Sequence, residues 1–282
     1  MKPLASQALE RLGKYWGPGS LTREAHLQYT KDFANFVSQK YGLENIQHLK
    51  PNHVQGYVQY LKDDKKLDNG TICNRMASVR DLANAIGKGN IVAKDNKAYG
   101  IARGSRQKPI IANQGAIDRI RMALVEKANA GDRIAMMCHA AAELREAFGL
   151  RAKESLMSSK LVDTAKGVAL QVEGAKGGRP RKLPISNDAQ LKAVQIVAQV
   201  SQTLGSGTGR IMPPEMSLKE AYNAQRTMWR SLGGTKDVAA HMHASRHTTA
   251  QTMKAQGYTK GEIMAWLGHG EDRSPFCYIP KG

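Results

Sequence analysis

The chain has 282 residues, 41% of them hydrophobic, and a formal net charge of +18 at pH 7. That length suits one large or two medium domains, each with its own core, and the basic excess runs through both halves rather than a tail, so a polyanion touching both, DNA foremost, is the implied partner. No apolar run approaches membrane-spanning length, Met1-Lys2-Pro3-Leu4-Ala5 lacks the apolar stretch of a secretory leader, and Cys73, Cys138 and Cys277 show neither pairing nor metal spacing, so a reducing cytoplasm is expected.

Helical periodicity opens the chain. A short helix is expected over 4–15, then a longer one over 21–41, capped by Ser20 or Thr22, with Tyr29, Phe33, Phe36 and Val37 on one stripe. That aromatic stripe reads as core rather than as a base-stacking platform. A third helix, opened by Pro51, covers 51–62 and turns Val54, Tyr57, Val58 and Leu61 inward. Asp68-Asn69-Gly70 reads as a turn before a fourth helix over 71–86, with Ile72, Met76, Val79 and Leu82 apolar. These four make an N-terminal helical bundle, residues 1–102. Residues 87–112 are glycine-rich, basic and poorly periodic, and the later part, 103–112, reads as a linker to a second domain over 113–282.

The second domain begins with helices over 114–129 and 133–148. A short sheet follows across 161–186, in which Val168–Val172 and Arg181–Ile185 flank a glycine-rich turn, Glu173-Gly174-Ala175-Lys176-Gly177-Gly178. Further helices are expected near 188–204, 217–232, 246–256 and 259–267. Gly205-Ser206-Gly207-Thr208-Gly209 lacks the Gly-Lys-Ser/Thr of a nucleotide P-loop and reads as an ordinary loop. The fold class is therefore mainly α with a small β-sheet.

The most specific signal lies in the last forty residues: His243-Ala244-Ser245-Arg246-His247, then Leu267-Gly268-His269, then Tyr278 nine positions on. A histidine and an arginine three apart share a helix face. Together with a phenol they offer what phosphoryl transfer uses: cations for the phosphorus centre and an oxygen nucleophile. This order and spacing resembles the C-terminal signature of tyrosine recombinases, the phage-integrase and Xer group. Two upstream elements extend the resemblance. Gly149-Leu150-Arg151-Ala152-Lys153-Glu154 matches the family's Gly-Leu-Arg-x-x-Glu turn, and Lys176 falls where the family carries a hairpin lysine, although Ala175 stands where a glycine is usual. Lys182 is an alternative for that lysine. The resemblance is specific over 145–278; over 1–100 it rests on helix count and order, as in the family's SAM-like core-binding bundle.

The resemblance implies a site-specific recombinase that breaks and rejoins DNA without metal, ATP or other cofactor. Arg151 and Arg246 would hold the phosphate, with His243 and His269 as further donors. Tyr278 would attack to give a 3′-phosphotyrosyl link, and Lys176 would protonate the leaving 5′ oxygen. Glu154 would orient the arginine and His247 would support the fold. The implied partner is double-stranded DNA with inverted half-sites, bound by a dimer and synapsed by a tetramer, with DNA-bending or directionality factors possible in addition and no membrane. The setting would be the nucleoid, and a mobile-element integrase is the preferred role.

Several residues read more plainly. Arg145 reads as a helix-surface residue making ion pairs, His241 as a solvated histidine, and Cys277 as packing, with a cysteine nucleophile the minor rival to Tyr278. Only Ile279-Pro280-Lys281-Gly282 follows the tyrosine, so docking of a further C-terminal helix onto a neighbouring protomer is not expected. Pro275 would break a helix before Tyr278, which suggests a loop there. The rival readings are a type IB topoisomerase- or resolvase-like strand transferase, and a non-enzymatic DNA-binding protein with a vestigial set.

Overall fold

A computed structural model of the chain describes residues 2–15, 21–102, 110–165, 167–174, 179–207 and 209–269. It divides into two compact units, Met1–Ser105 and Arg106–Gly282.

The first unit is helical: α1 (Leu4–Tyr15), α2 (Leu21–Tyr41), α3 (Pro51–Asp63) and α4 (Asn69–Ala85). Phe33 and Val37 of α2, Tyr57 and Leu61 of α3 and Met76 and Leu82 of α4 are buried together, so the aromatic stripe is core. The Phe33 and Tyr57 rings meet edge to face with centroids 5.0 Å apart, a geometry favoured by the ring quadrupoles. Asp68-Asn69-Gly70 is not a separate turn. Asp68 is the N-cap of α4, its carboxylate accepting from the Thr71 amide at 3.0 Å, and Asn69 and Gly70 already form the first helical turn. The caps at Ser20 and Thr22 and residues 103–109 of the expected linker lie outside the described side chains and residues.

The second unit is built around α6 (Arg133–Phe148), which packs against α5 (Gln114–Asn129), α7 (Ala152–Leu156), α8 (Asp188–Leu204), α9 (Leu218–Ser231) and α10 (Ala244–Ala255). Ala140, Ala141 and Ala142 are all buried, as a helix covered on every side requires. Beside it lies an antiparallel sheet in the order β1 (Leu161–Thr164), β2 (Gly167–Val172), β3 (Arg181–Pro184), with Leu170 opposite Leu183. Leu170, Val172 and Leu183 face the core. The last described helix is α11 (Lys260–Leu267). Among the described residues no helix is long and apolar enough to cross a membrane.

Candidate active site

The end of α6 places the first site residue. Gly149 adopts a left-handed backbone, φ +66, and its amide donates to the Arg145 carbonyl at 3.0 Å. A Cβ there would lie 2.8 Å from Thr249 Oγ1 of α10, so glycine is required by conformation and by space. The chain then turns through buried Leu150 to Arg151, the N-cap of α7.

Glu154, fully buried, folds back over this turn. Its carboxylate accepts from the Arg151 amide at 3.0 Å and from Arg151 Nη1 at 2.5 Å. It also accepts from Arg181 Nη2 at 3.1 Å and Nη1 at 3.4 Å, and Arg246 Nη1 stands 3.9 Å away. Burial pushes the Glu154 carboxyl up, but the Arg181 hydrogen bond and charge, and then Arg151, hold it below the usual carboxylate range. Three guanidiniums around one carboxylate leave the pocket electropositive.

The end of α11 supplies the other half. Gly268, φ +63, and His269 close the helix: their amides donate to the carbonyls of Ala265 and Met264 at 3.1 and 3.0 Å, the pattern of a Schellman motif. Three successive carbonyls at this negative end of the helix each accept from a different arginine. Arg181 Nε donates to Trp266 at 2.6 Å, Arg246 Nη2 to Leu267, and Arg151 Nη2 to Gly268 at 3.4 Å. Arg246, fully buried on α10, also donates from Nη1 to the Gly149 carbonyl at 2.8 Å. The Trp266 indole donates to the Phe148 carbonyl at 3.0 Å, which joins the ends of α6 and α11 directly.

The histidines complete the cluster. His269 Nε2 lies 3.0 Å from Arg246 Nη2. Its pKa is lowered to about 3 by burial and by Arg246, Arg151 and Arg181. His243 stands at the N-cap of α10, which begins at Ala244, and its pKa is also lowered to about 3, by burial, Arg246 and neighbouring His247. The His247 ring meets that of His243 edge to face at 5.6 Å, and burial, His241 and Arg246 lower its pKa to about 4. All three are neutral at pH 7. They therefore offer single N–H donors and proton acceptors rather than fixed charge.

The structure thus gathers Arg151, Glu154, Arg246 and His269 at one place, with His243 and His247 on the adjoining helix start. Lys176, Tyr278 and Cys277 lie outside the described residues. Arg181, which in sequence reads only as the start of a strand, belongs to the cluster as well. Strand alternation is the signal for it: Arg181 shares a face with buried Leu183, while Lys182 points the other way and is exposed. Two expectations are corrected. Arg145 is not at the surface: it is 1% exposed, and its guanidinium stacks 4.8 Å from the Trp229 ring because α9 covers that face of α6. His241 is half-buried rather than solvated, and burial lowers its pKa. Among the described residues no three His, Cys, Asp or Glu side chains are grouped to hold a metal ion.

A family model described as Integrase matches residues 103–252, and one described as phage integrase, N-terminal, matches residues 1–92. No curated protein sequence matches. Among solved structures, a lambda integrase dimer bound to a COC′ core site is 17% identical, with a TM-score of 0.67 over 97% of this chain and 94% of that one. XerH site-specific recombinase bound to its difH substrate is 12% identical, with a TM-score of 0.65 over 99% and 81%. The Tn1549 transposon integrase in complex with circular intermediate DNA is 15% identical, with a TM-score of 0.60 over 99% and 96%. At these identities the likeness is one of fold.

Proposed function

The chain belongs to the phage integrase family of tyrosine recombinases, and we propose that it breaks and rejoins DNA through a 3′-phosphotyrosyl intermediate without metal or ATP. One observation carries this reading: Arg151 and Arg246, 95 positions apart, both donate to the Leu267–Gly268 backbone beside His269. Two guanidiniums held by the same backbone turn support the reading, because preorganised cations stabilise a phosphodiester's developing charge without reorganisation during reaction.

In the proposed step the Tyr278 oxygen attacks the scissile phosphorus and the bond to the 5′ oxygen breaks. Arg151 and Arg246 bind the non-bridging oxygens and His269 donates to one of them. His243, neutral before DNA arrives, takes the phenolic proton once the phosphate charge raises its basicity. Lys176 gives a proton to the departing 5′ oxygen. The phosphotyrosine retains the energy of the diester, so a second strand's 5′ hydroxyl reverses the step and exchanges strands.

The proposed partner is duplex DNA carrying inverted half-sites, held by a dimer on each site and a tetramer in synapsis, in the cytoplasm at the nucleoid. In this reading residues 1–102 form the core-binding domain, 103–112 the basic linker and 113–282 the catalytic domain. The test is incubation with nicked duplex substrates in EDTA, reading a denaturant-resistant protein–DNA adduct. Wild type is expected to form it and Tyr278→Phe to lose it; no adduct from wild type on its own element's ends would favour a binding protein instead.

A further inference from the structure

Arg181 belongs to no part of the chemistry described so far, yet its guanidinium is placed with more partners than any surface role requires. Its side chain is 8% exposed. Two prongs of the fork lie on the Glu154 carboxylate, Nε is spent on the Trp266 carbonyl, and Nη1 also reaches the Arg179 carbonyl at 3.4 Å. One side chain therefore ties three segments that are far apart in sequence: strand β3, the Arg151–Glu154 turn, and the end of α11 that leads into His269.

We propose that Arg181 is a positioning residue of the reaction centre, engaging Glu154 so that Arg151 stays available to a phosphate, and holding the Trp266–His269 segment in register with it. This rests on the reading of the site as a strand-cleaving centre. Glu154 is buried, and with Arg181 removed its remaining close partner is Arg151 at 2.5 Å, against 3.9 Å for Arg246. The carboxylate, which already accepts from Arg151, would then lose the cation that shares its charge and compete more strongly with phosphate for Arg151. The Trp266 carbonyl would lose its donor at the same time, freeing the turn that carries His269.

Local geometry is shaped around this residue. A Cβ at Gly268 would lie 2.5 Å from Arg181 Nη1 and 3.0 Å from Cζ. The Leu-Gly-His motif therefore owes its glycine partly to a guanidinium arriving from β3. Lysine cannot substitute fully, because a single ammonium does not reproduce a planar fork that bridges a carboxylate and a carbonyl.

The test compares wild type, Arg181→Lys and Arg181→Gln of the full chain on two suicide substrates, one with an ordinary scissile phosphate and one with a neutral methylphosphonate. On phosphate, Arg181→Gln is expected to form adduct on the order of 10- to 100-fold more slowly, by analogy with the range found for outer residues that orient metal ligands, with duplex binding unchanged and Arg181→Lys intermediate. On methylphosphonate the non-bridging charge is gone, so the Arg181→Gln defect is expected to shrink to a few-fold relative to wild type. An equal defect on both substrates would mean a merely structural role and overturn the proposal. Backbone hydrogen exchange, which needs no activity, supplies the second readout. Arg181→Gln is expected to speed exchange at 264–269 and 151–155 while α5 and α6 stay protected. Unchanged exchange at 264–269 overturns the positioning role even where wild type forms no adduct, an outcome that would by itself count against strand cleavage and not against the local tether.

Discussion

Arg246 Nη2 donates to His269 Nε2 across 3.0 Å, so the imidazole nitrogen that faces the guanidinium carries no proton. The histidine is thereby fixed as the neutral tautomer with its hydrogen at Nδ1. Burial is the main reason that the His269 pKa lies below that of an ordinary histidine; the charges of Arg246, Arg151 and Arg181 add to it, and Glu154 opposes them.

A pH dependence follows from His243, His247 and His269, whose folded pKa values are about 3, 4 and 3. All lie below the unfolded value of about 6.5. Between these limits the unfolded chain binds more protons than the native one, so stability is full above about pH 6.5 and falls as pH drops towards 4. Urea midpoints at pH 7.5 and 5.0 check this. His269→Gln is expected to lose less on acidification than wild type; equal losses would show that His269 does not titrate in that window.

Glu154→Gln keeps the shape of a fully buried side chain but removes the counter-charge of Arg151 and Arg181. Removing one partner of a buried pair is expected to cost about 3 kcal/mol. Equilibrium denaturation measures it, and a loss below about 1 kcal/mol would mean that solvent screens the pair as at a surface.

Gly268→Ala combines a left-handed backbone with a Cβ 2.5 Å from Arg181 Nη1. The backbone alone costs roughly 1–2 kcal/mol. Because the displaced guanidinium is tied to Glu154 and Trp266, adduct formation is expected to fall by more than the folded fraction does. Parallel losses of the two would show that the glycine serves stability alone.

Arg145 gives an opposite kind of test. Its Nη1 and Nη2 are buried with no hydrogen-bond partner among the described residues, and burial lowers its pKa to about 10. A buried cation with a ring contact but no hydrogen bond or ion pair at these nitrogens is expected to cost more than an apolar residue of similar length that keeps the Trp229 contact. Arg145→Met is expected to melt at or above the wild-type temperature, whereas Trp229→Ala, which empties a site 2% exposed, is expected to lose about 3–5 kcal/mol. Marked destabilisation by Arg145→Met would reveal a structural use for the guanidinium.

Much of this was legible in the sequence because periodicity and motif spacing are local signals. Apolar stripes gave α2 and α3 their extents, and Gly149-Leu150-Arg151, His243 to Arg246 and Leu267-Gly268-His269 marked segments that meet in space. What stayed hidden depends on the tertiary fold. Asp68 looks like a turn residue until Asn69 is seen to begin a helix, since the same side chain serves both. Arg145 looks like a surface arginine until Trp229 covers it. Arg181 looks like no more than the start of a strand until α11 brings Trp266 to it from 85 positions away.

The most direct test of the account is to digest the covalent adduct formed by wild type in EDTA with nuclease and trypsin and sequence the Ser274–Lys281 peptide by tandem mass spectrometry. The expected result is a nucleotide phosphate on Tyr278. The same mass on Cys277, or on a tyrosine elsewhere in the chain, would contradict it.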